Sequence, residues 1–284
     1  MTKLIHDSHE LKSEMGVIRA FIPTMGALHQ GHLDLVDAAR ALVGADGEVV
    51  MSIFVNPTQF GHATEVSQYP RTLESDLAQC AANGVDIVFA PSVNEMYPDG
   101  IETSQYVSVQ PGPQGSILEG VDRPGHFAGV LTIVAKLLNL VQPNFATFGE
   151  KDYQQLALIS RMVQQLNFPV KVVGVQTRRE PDGLAMSSRN AFLTPEQRTE
   201  AASISRALFA AQRVEGNIDA KLSAARDALS GEIKTSYLVA MTNDLSRELV
   251  GTENAHQGRL LFAGLLGSTR LIDNMPLGEV NSSE

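Results

Sequence analysis

The stretch "FIPTMGALHQGHLDLVDAAR", Phe21 to Arg40, decides how the chain reads. It opens inside an apolar, strand-like run, "VIRAFIP" (Val17 to Pro23), and passes into "LDLVDAARALV", whose apolar side chains recur at helical spacing. Between the two lies a turn at Gly26, where a missing Cβ lets the chain reverse tightly. A strand that runs through a glycine turn into a helix leaves the first helical N–H groups and the positive end of the helix dipole facing outward, which is a ready anion site. His29 and His32, at i and i+3, share one face of that junction. Two imidazoles placed there can donate to phosphate oxygens as charge develops. They can equally be capping or core-satisfied histidines, and the residues alone leave both readings open. Zinc binding is a weaker third reading, because no nearby Glu or Cys completes a ligand set.

Outward from this stretch the pattern repeats. "EVVMSIFVNP", "VDIVFAP", "NFATFGEKD" and "VKVVGVQTRRE" read as strands, and "TLESDLAQCAANG", "HFAGVLTIVAKLLNLVQ" and "YQQLALISRMVQQLN" as helices. Continuous apolar strands predict a sheet covered on both faces. Their alternation with helices predicts βαβ units and a parallel sheet. Such sheets take ligands beyond the carboxyl ends of their strands, which is where the unusual residues fall.

The tail reads differently. Helical stretches "AASISRALFAAQRV" and "DAKLSAARDALS" are followed by "KTSYLVAMTNDLSREL" and "GRLLFAGLLGSTRLIDN", with strand-like pieces at "YLVAM" and "RLLFAGLL". Two domains are expected, residues 1–175 around the parallel sheet and residues 176–284 as a smaller α+β domain. The Gly/Pro-rich segment "VQPGPQGSILEGVDRPGH", Val109 to His126, is too long for a simple connector and reads as a mobile surface loop or a lid.

Composition narrows the function classes. With 43% hydrophobic and 19% charged residues over 284 positions, the chain reads as a soluble globular protein. No apolar run approaches the ~20 residues of a membrane-spanning helix, and the N-terminus has no signal-like apolar core. The single cysteine, Cys80, excludes an internal disulfide and a thiolate metal cluster, so a cytoplasmic setting is expected. A formal net charge of −10 argues against nucleic-acid or anionic-membrane partners. It still allows a small anion held by a few local cations.

Four further clusters carry chemistry. Asn56, Pro57, Thr58 and Gln59 lie just past a strand, where polar side chains face ligand or simply close a turn. In "FGEKDYQQ", Gly149 allows a close turn and Lys151 offers a point charge, although Lys151 and Asp152 also suit a solvated surface pair. In "RREPDGLAMSSRNAFLTPEQR", Ser187, Ser188 and Arg189 supply two hydroxyls and a guanidinium fork that fit triphosphate oxygens, or else a helix cap. Asp76, in "YPRTLESDLAQ", is a carboxylate on a helix. At the exit of the Gly/Pro-rich segment, His126 reads as a loop anchor more readily than as a site residue.

"HQGH" preceded by "PTMGAL" resembles the HIGH-type signature of class I aminoacyl-tRNA synthetases and related nucleotidyltransferases. The longer string "PTMGALHQGHLDLV" resembles the pantothenate synthetase (pantoate–β-alanine ligase) family, and the other motifs follow in that family's order from about Val17 to Arg198, with "GSTRLIDN" continuing into the tail. The resemblance implies an α/β fold, a Rossmann-like parallel sheet with helices on both faces plus the smaller C-terminal α+β domain. It implies an ATP-dependent ligase that joins D-pantoate to β-alanine through a pantoyl adenylate, releasing AMP and pyrophosphate, with Mg²⁺ accompanying ATP and a homodimeric assembly.

Residue by residue, the resemblance places ATP against Met25, Gly26, Ala27, Leu28, His29, Gln30, Gly31 and His32, against Gly149, Glu150, Lys151 and Asp152, and against Arg178, Met186, Ser187, Ser188 and Arg189. Within these, His29, His32, Lys151, Ser187, Ser188 and Arg189 are the implied catalytic groups. Thr24, Asn56, Gln59 and Gln155 are implied to hold pantoate and β-alanine, and Asp76 to contact magnesium. The chain departs from the family at Thr58, where Met is usual, and at Arg178, where an apolar residue is often found. A nucleotidyltransferase of the same superfamily is the rival enzyme; Asn56, Gln59 and Gln155 suit a small hydroxy acid better than its phosphorylated acceptors. A nucleotide sensor would bind ATP without releasing pyrophosphate.

Overall fold

A computed structural model of the chain describes residues 2–11, 16–61, 63–102, 104–253 and 258–278. The chain divides into two compact units, residues 1–149 with 158–175, and residues 150–157 with 176–284.

The first unit is built on a six-stranded parallel sheet. Its strands are β1 (Lys3–Ile5), β2 (Arg19–Thr24), β3 (Glu48–Ile53), β4 (Ile87–Phe89), β5 (Phe145–Gly149) and β6 (Lys171–Val175), in the spatial order β1-β4-β3-β2-β5-β6. The helices between them are α1 (Gln30–Val43), α2 (Ala63–Gln68), α3 (Leu73–Ala82), the short α4 (Val93–Met96) and α5 (Glu119–Asp122), and α6 (His126–Val141). From β2 the chain builds β3 and β4 to one side and returns to build β5 and β6 on the other, so the strand order reverses at β2 and β5. Ligands bind at such a reversal, beyond the carboxyl ends of the strands. Pro23, which has no N–H to donate, falls after the last β2–β5 pair, Phe21 with Ala146.

Burial explains why these segments form these elements. Ala20, Phe21 and Ile22 are all fully buried, as a central strand covered on both faces requires. Helix α1 buries Leu35, Val36, Ala39 and Val43, one stripe at helical spacing, in a cluster with Ile22, Met51, Val88 and Cys80. Each such side chain contributes roughly 1.5–3 kcal/mol when fully buried. Helix α6 buries eleven of its sixteen residues, which matches its nearly unbroken apolar sequence.

The second unit carries a three-stranded antiparallel sheet of β7 (Lys234–Met241), β8 (Arg259–Leu266) and β9 (Thr269–Pro276), with helices α8 (Pro195–Arg213) and α9 (Ile218–Ala228). Ile204, Leu208, Ile218, Leu260 and Phe262 form its core. Thr194 starts α8 with a reciprocal cap to Gln197, and Pro195 occupies the first helical position. A further helix, α7 (Tyr153–Gln165), begins among residues of the second unit and continues in the first. Among the described residues no helix is long and apolar enough to cross a membrane.

Three elements differ from the sequence expectation. Strand β1 is only three residues long, at the sheet edge with two exposed positions, and so has no legible period. "RLIDN", outside the strand-like pieces read in the tail, lies on β9. Leu271 and Ile272 side by side before Asp273 and Asn274 show no apolar alternation; Gly267, at φ 61°, closes a tight β8–β9 hairpin that pairs this segment with β8. The Gly/Pro-rich segment also has structure of its own, a helical turn at Pro113–Ser116 and then α5. Val109 N–H donates to Thr132 Oγ1 on α6 at 2.9 Å.

Candidate active site

The first cluster forms where β2 turns into α1. Gly26 has φ 82° and Ala27 φ 51°, so two consecutive residues take the left-handed conformation that only glycine adopts without strain. The buried carboxylate of Asp76, on α3, holds this turn. It accepts the Ala27 N–H at 3.0 Å, the Leu28 N–H at 2.9 Å and the Thr72 hydroxyl at 3.1 Å. A Cβ on Gly26 would meet Asp76 Oδ2 at 2.9 Å, so glycine here serves both the turn and the close approach.

His29 caps α1 in a way that defines its proton. Its Nδ1 accepts the Gly31 N–H at 3.1 Å, while His32 Nδ1 accepts the His29 N–H at 3.2 Å, a reciprocal capping arrangement built from two imidazoles. A ring nitrogen that accepts from a backbone N–H carries no proton. Both rings therefore hold theirs on Nε2. The rings lie 4.1 Å apart between centroids. Capping and donating to an anion, alternatives in the sequence, are compatible in this geometry because they use opposite nitrogens.

The second cluster lies past β3 and centres on Asn56. Its Nδ2 donates to Gln59 Oε1 at 3.1 Å and to the Gly129 carbonyl at 3.2 Å, and its Oδ1 accepts from the Tyr97 hydroxyl at 2.9 Å and the Thr58 hydroxyl at 3.0 Å. Gln59 Nε2 reaches Met25 Sδ at 3.2 Å, which brings Gln59 together with the β2–α1 turn. His126 Nδ1 lies 2.8 Å from the Gln59 carbonyl, so it anchors the start of α6 to this segment. Tyr97 is buried, and burial pushes its hydroxyl up to about 12, against a weaker lowering by its bond to Thr58. It stays a proton donor at every working pH. Nothing in the sequence singled out Tyr97.

The second unit holds the other candidates. Asn274 Nδ2 donates to the carbonyls of Glu150 and Lys151 at 2.8 and 2.9 Å, which fixes the backbone that carries the Lys151 side chain. Arg259 pairs with Glu150 at 3.0 Å and stacks 3.8 Å over the Tyr153 ring. Arg179 forms a bidentate pair with Asp273 at 2.7 and 3.0 Å, and the neighbouring Arg178 carbonyl accepts the Met186 N–H at 2.9 Å. The segment leading into "AMSSR" is thus tied to β9. Ser187 caps the turn that starts at Ser188, accepting the Arg189 N–H at 3.3 Å. Lys151, Ser187, Arg189, Arg270 and Asp273 line one small concavity, in which Asp273 is paired with Arg179 and Lys151 lies 3.7 Å from Asp152. Lys151, Arg189 and Arg270 are groups that pair with phosphate oxygens.

The sequence candidates thus fall into two groups. Thr24 to His32, Asn56, Gln59, Asp76 and Gly149 belong to the first unit, and Glu150 to Asp152, Gln155, Arg178 and Met186 to Arg189 to the second. Gln154, on the same helix as Gln155, is the more buried of the two. Arg259 and Asn274 were invisible as supports, because their partners lie more than a hundred residues away in sequence.

A parallel α/β sheet with an imidazole-capped helix at its strand reversal, and a cationic concavity on the other unit, defines a class of protein that handles small anionic substrates. The family profile described as Pantoate-beta-alanine ligase matches residues 2–276. The pantothenate synthetase of Nocardioides sp. is 51% identical over 286 residues, covering 96% of this chain and 85% of the relative. The pantothenate synthetase structure from Thermus thermophilus superposes with a TM-score of 0.88 at 44% identity, over 98% of this chain and 100% of that one. A Francisella tularensis pantoate-beta-alanine ligase, complexed with beta-gamma ATP and beta-alanine, superposes with a TM-score of 0.78 at 33% identity, over 98% of each chain. The chain belongs to the pantoate–β-alanine ligase family, and it condenses pantoate with β-alanine using ATP.

Proposed function

We propose that the condensation proceeds in two steps through a pantoyl adenylate. A carboxylate oxygen of D-pantoate attacks the α-phosphorus of Mg-ATP, the bond to the β-phosphate oxygen breaks, and pyrophosphate leaves. The amine of β-alanine then attacks the acyl carbon, the bond to AMP breaks, and the amine proton passes to solvent. The paired imidazoles carry this reading: each holds its proton on Nε2 because its Nδ1 is taken by a backbone N–H. As the α-phosphorus becomes five-coordinate, negative charge builds on its oxygens, and preorganised donors stabilise that charge without reorganising. His29 and His32 supply such donors through Nε2, whereas the Ala27 and Leu28 N–H groups are taken by Asp76 and the His29 and Gly31 N–H groups by the imidazoles themselves.

Lys151, Ser187, Ser188 and Arg189 are assigned to the triphosphate, and the concavity that Lys151, Ser187 and Arg189 share with Arg270 supports that role. Met186 and the Arg178 backbone are assigned to the nucleotide, and Thr24, Asn56, Gln59 and Gln155 to pantoate and β-alanine. Magnesium enters with ATP as part of the substrate. Asp76, implied by the resemblance to contact magnesium, is 1% exposed and accepts three hydrogen bonds within the β2–α1 turn, so it serves the turn and does not fit direct contact with a hydrated cation. Among the described residues no group of three His, Cys, Asp or Glu could hold a metal by itself. The reading includes a homodimer, from the family resemblance, and a cytoplasmic setting, from the single buried cysteine.

The test is pyrophosphate release from Mg-ATP with D-pantoate alone, followed by addition of β-alanine and identification of products by mass. Pantoate-dependent pyrophosphate before β-alanine, then AMP and pantothenate after it, is the expected outcome. Pyrophosphate that appears only once β-alanine is present would overturn the adenylate-first order.

A further inference from the structure

The Asn56 network does more than fill a buried space. It assigns the polarity of the Gln59 amide. A backbone carbonyl accepts and never donates, so the Asn56 atom facing the Gly129 carbonyl at 3.2 Å must be the amide nitrogen. Oδ1 therefore faces the Tyr97 and Thr58 hydroxyls, at 2.9 and 3.0 Å, and both can donate to it. The second Asn56 Nδ2 hydrogen points to Gln59, so the Gln59 atom at 3.1 Å must be an acceptor, Oε1. Gln59 then has its NH₂ on the other side, against Met25 Sδ, and a thioether is a weak acceptor.

We infer that Tyr97 and Thr58 are positioning residues that, through Asn56, hold the Gln59 side chain with its NH₂ group presented to an oxygen of the pantoate substrate. The inference rests on the assignment of Gln59 to pantoate. A carboxylate or hydroxyl oxygen makes a far better partner for that NH₂ than sulfur does, so substrate binding upgrades the contact. The Gly129 carbonyl fixes one end of the Asn56 amide and the two hydroxyls the other; with both hydroxyls gone, Oδ1 is buried without a donor, Asn56 is held at one end only, and Gln59 loses the fixed partner that keeps its NH₂ aimed at substrate.

The surroundings keep the relay rigid. Tyr97 is held edge-on by Tyr106, with ring centroids 5.2 Å apart, and by Lys136, whose Nζ lies 5.6 Å from the ring. Gly129 lets α6 come close enough for its carbonyl to serve: a Cβ there would meet the Thr58 carbonyl oxygen at 2.4 Å. The two hydroxyls lie 3.2 Å apart and carry one hydrogen each, so either can still serve Asn56 Oδ1 when the other is lost.

The experiment compares Tyr97→Phe/Thr58→Val, which removes both donors to Asn56, with Tyr97→Phe/Thr58→Ser, which keeps one, and with Gln59→Ala. Steady-state KM values are measured for pantoate, ATP and β-alanine. The first variant is expected to raise the pantoate KM about tenfold, the scale of one or two lost hydrogen bonds, and to leave the ATP KM unchanged. The serine version should recover most of the loss. Gln59→Ala should raise the pantoate KM at least as far. An unchanged pantoate KM in Tyr97→Phe/Thr58→Val, with a raised one in Gln59→Ala, would overturn the relay and spare the pantoate assignment. An unchanged pantoate KM in Gln59→Ala would instead remove that assignment. Should the double variant lose its near-UV circular dichroism, Tyr97→Phe alone is expected to give about a threefold rise in pantoate KM, and a wild-type value there would overturn the relay.

Discussion

Replacing Asp76 with alanine tests the physical account of the β2–α1 turn. The carboxylate is 1% exposed and accepts two backbone N–H groups and a hydroxyl at 2.9 to 3.1 Å. Hydrogen bonds to a charged group contribute about 1.5–3 kcal/mol each. Leu28 is buried, so its N–H would be left without a partner, whereas Ala27 is half-buried and water can replace part of its loss. The left-handed Ala27 adds roughly 1–2 kcal/mol of strain that these bonds hold in place. Discounting for relaxation and for water at Ala27, a loss of about 3 kcal/mol is expected for Asp76→Ala, on the scale of a buried network broken. Asp76→Asn should lose nearly as much, because its NH₂ must face one of the N–H donors. Thr72→Ala, which removes the outermost bond, should lose about 1 kcal/mol.

Urea unfolding followed by far-UV circular dichroism reads these losses, without nucleotide or metal, as a shift of the midpoint at constant slope. With two units in the chain, the first transition affected is the quantity to compare. A loss below about 1 kcal/mol for Asp76→Ala would refute the reasoning. Unchanged stability with a raised magnesium requirement for turnover would show that Asp76 acts on the metal and not on the turn.

Three other outcomes follow from the same geometry. His32→Ala should slow pantoate-dependent pyrophosphate release by about 10²–10³-fold, the scale of one lost transition-state donor, and a near-normal rate would remove His32 from the chemistry. Gly129→Ala should destabilise the first unit by about 1–3 kcal/mol, since the new Cβ meets backbone at Thr58 that cannot swing aside; a neutral result in urea unfolding would mean that α6 shifts freely. Burial chiefly raises Cys80 to about 11, and burial likewise raises Tyr97 to about 12, so the folded protein keeps protons that the unfolded chain has released. Stability from this source is complete below the ordinary thiol value of 9.0 and falls as the pH rises toward 11. Urea midpoints measured across that range should drop less in Cys80→Ala than in wild type.

How much of this was legible in the sequence depends on how far each cause reaches along the chain. The turn at Gly26, the helix after it and the His29–His32 pair are local matters of φ, capping and a three-residue spacing, so "PTMGALHQGH" carries them. The parallel sheet was legible for a similar reason: an apolar run buried on both faces, alternating with helices, admits few other folds. The family resemblance then supplied roles that no spacing could supply.

What the sequence could not carry were partners far apart along the chain. Asp76 reads as an ordinary helical carboxylate until α3 brings it under a turn about fifty residues earlier. Asn274 and Arg259 read as strand residues until β8 and β9 lay them against Glu150 and Lys151. Strand β9 itself was hidden, because "TRLIDNMP" sets Leu271 and Ile272 side by side before Asp273 and Asn274 and so shows no apolar alternation, and only pairing with β8 makes it a strand. The sequence by itself determined that strands alternate with helices around a parallel sheet and that His29 and His32 stand together at the turn after β2. Only the tertiary structure decided which way the Gln59 amide points, which nitrogen of each histidine keeps its proton, and which carboxylate is spent on holding the turn. Those depend on donors and acceptors meeting at hydrogen-bond distance, and that distance exists only once the chain has folded.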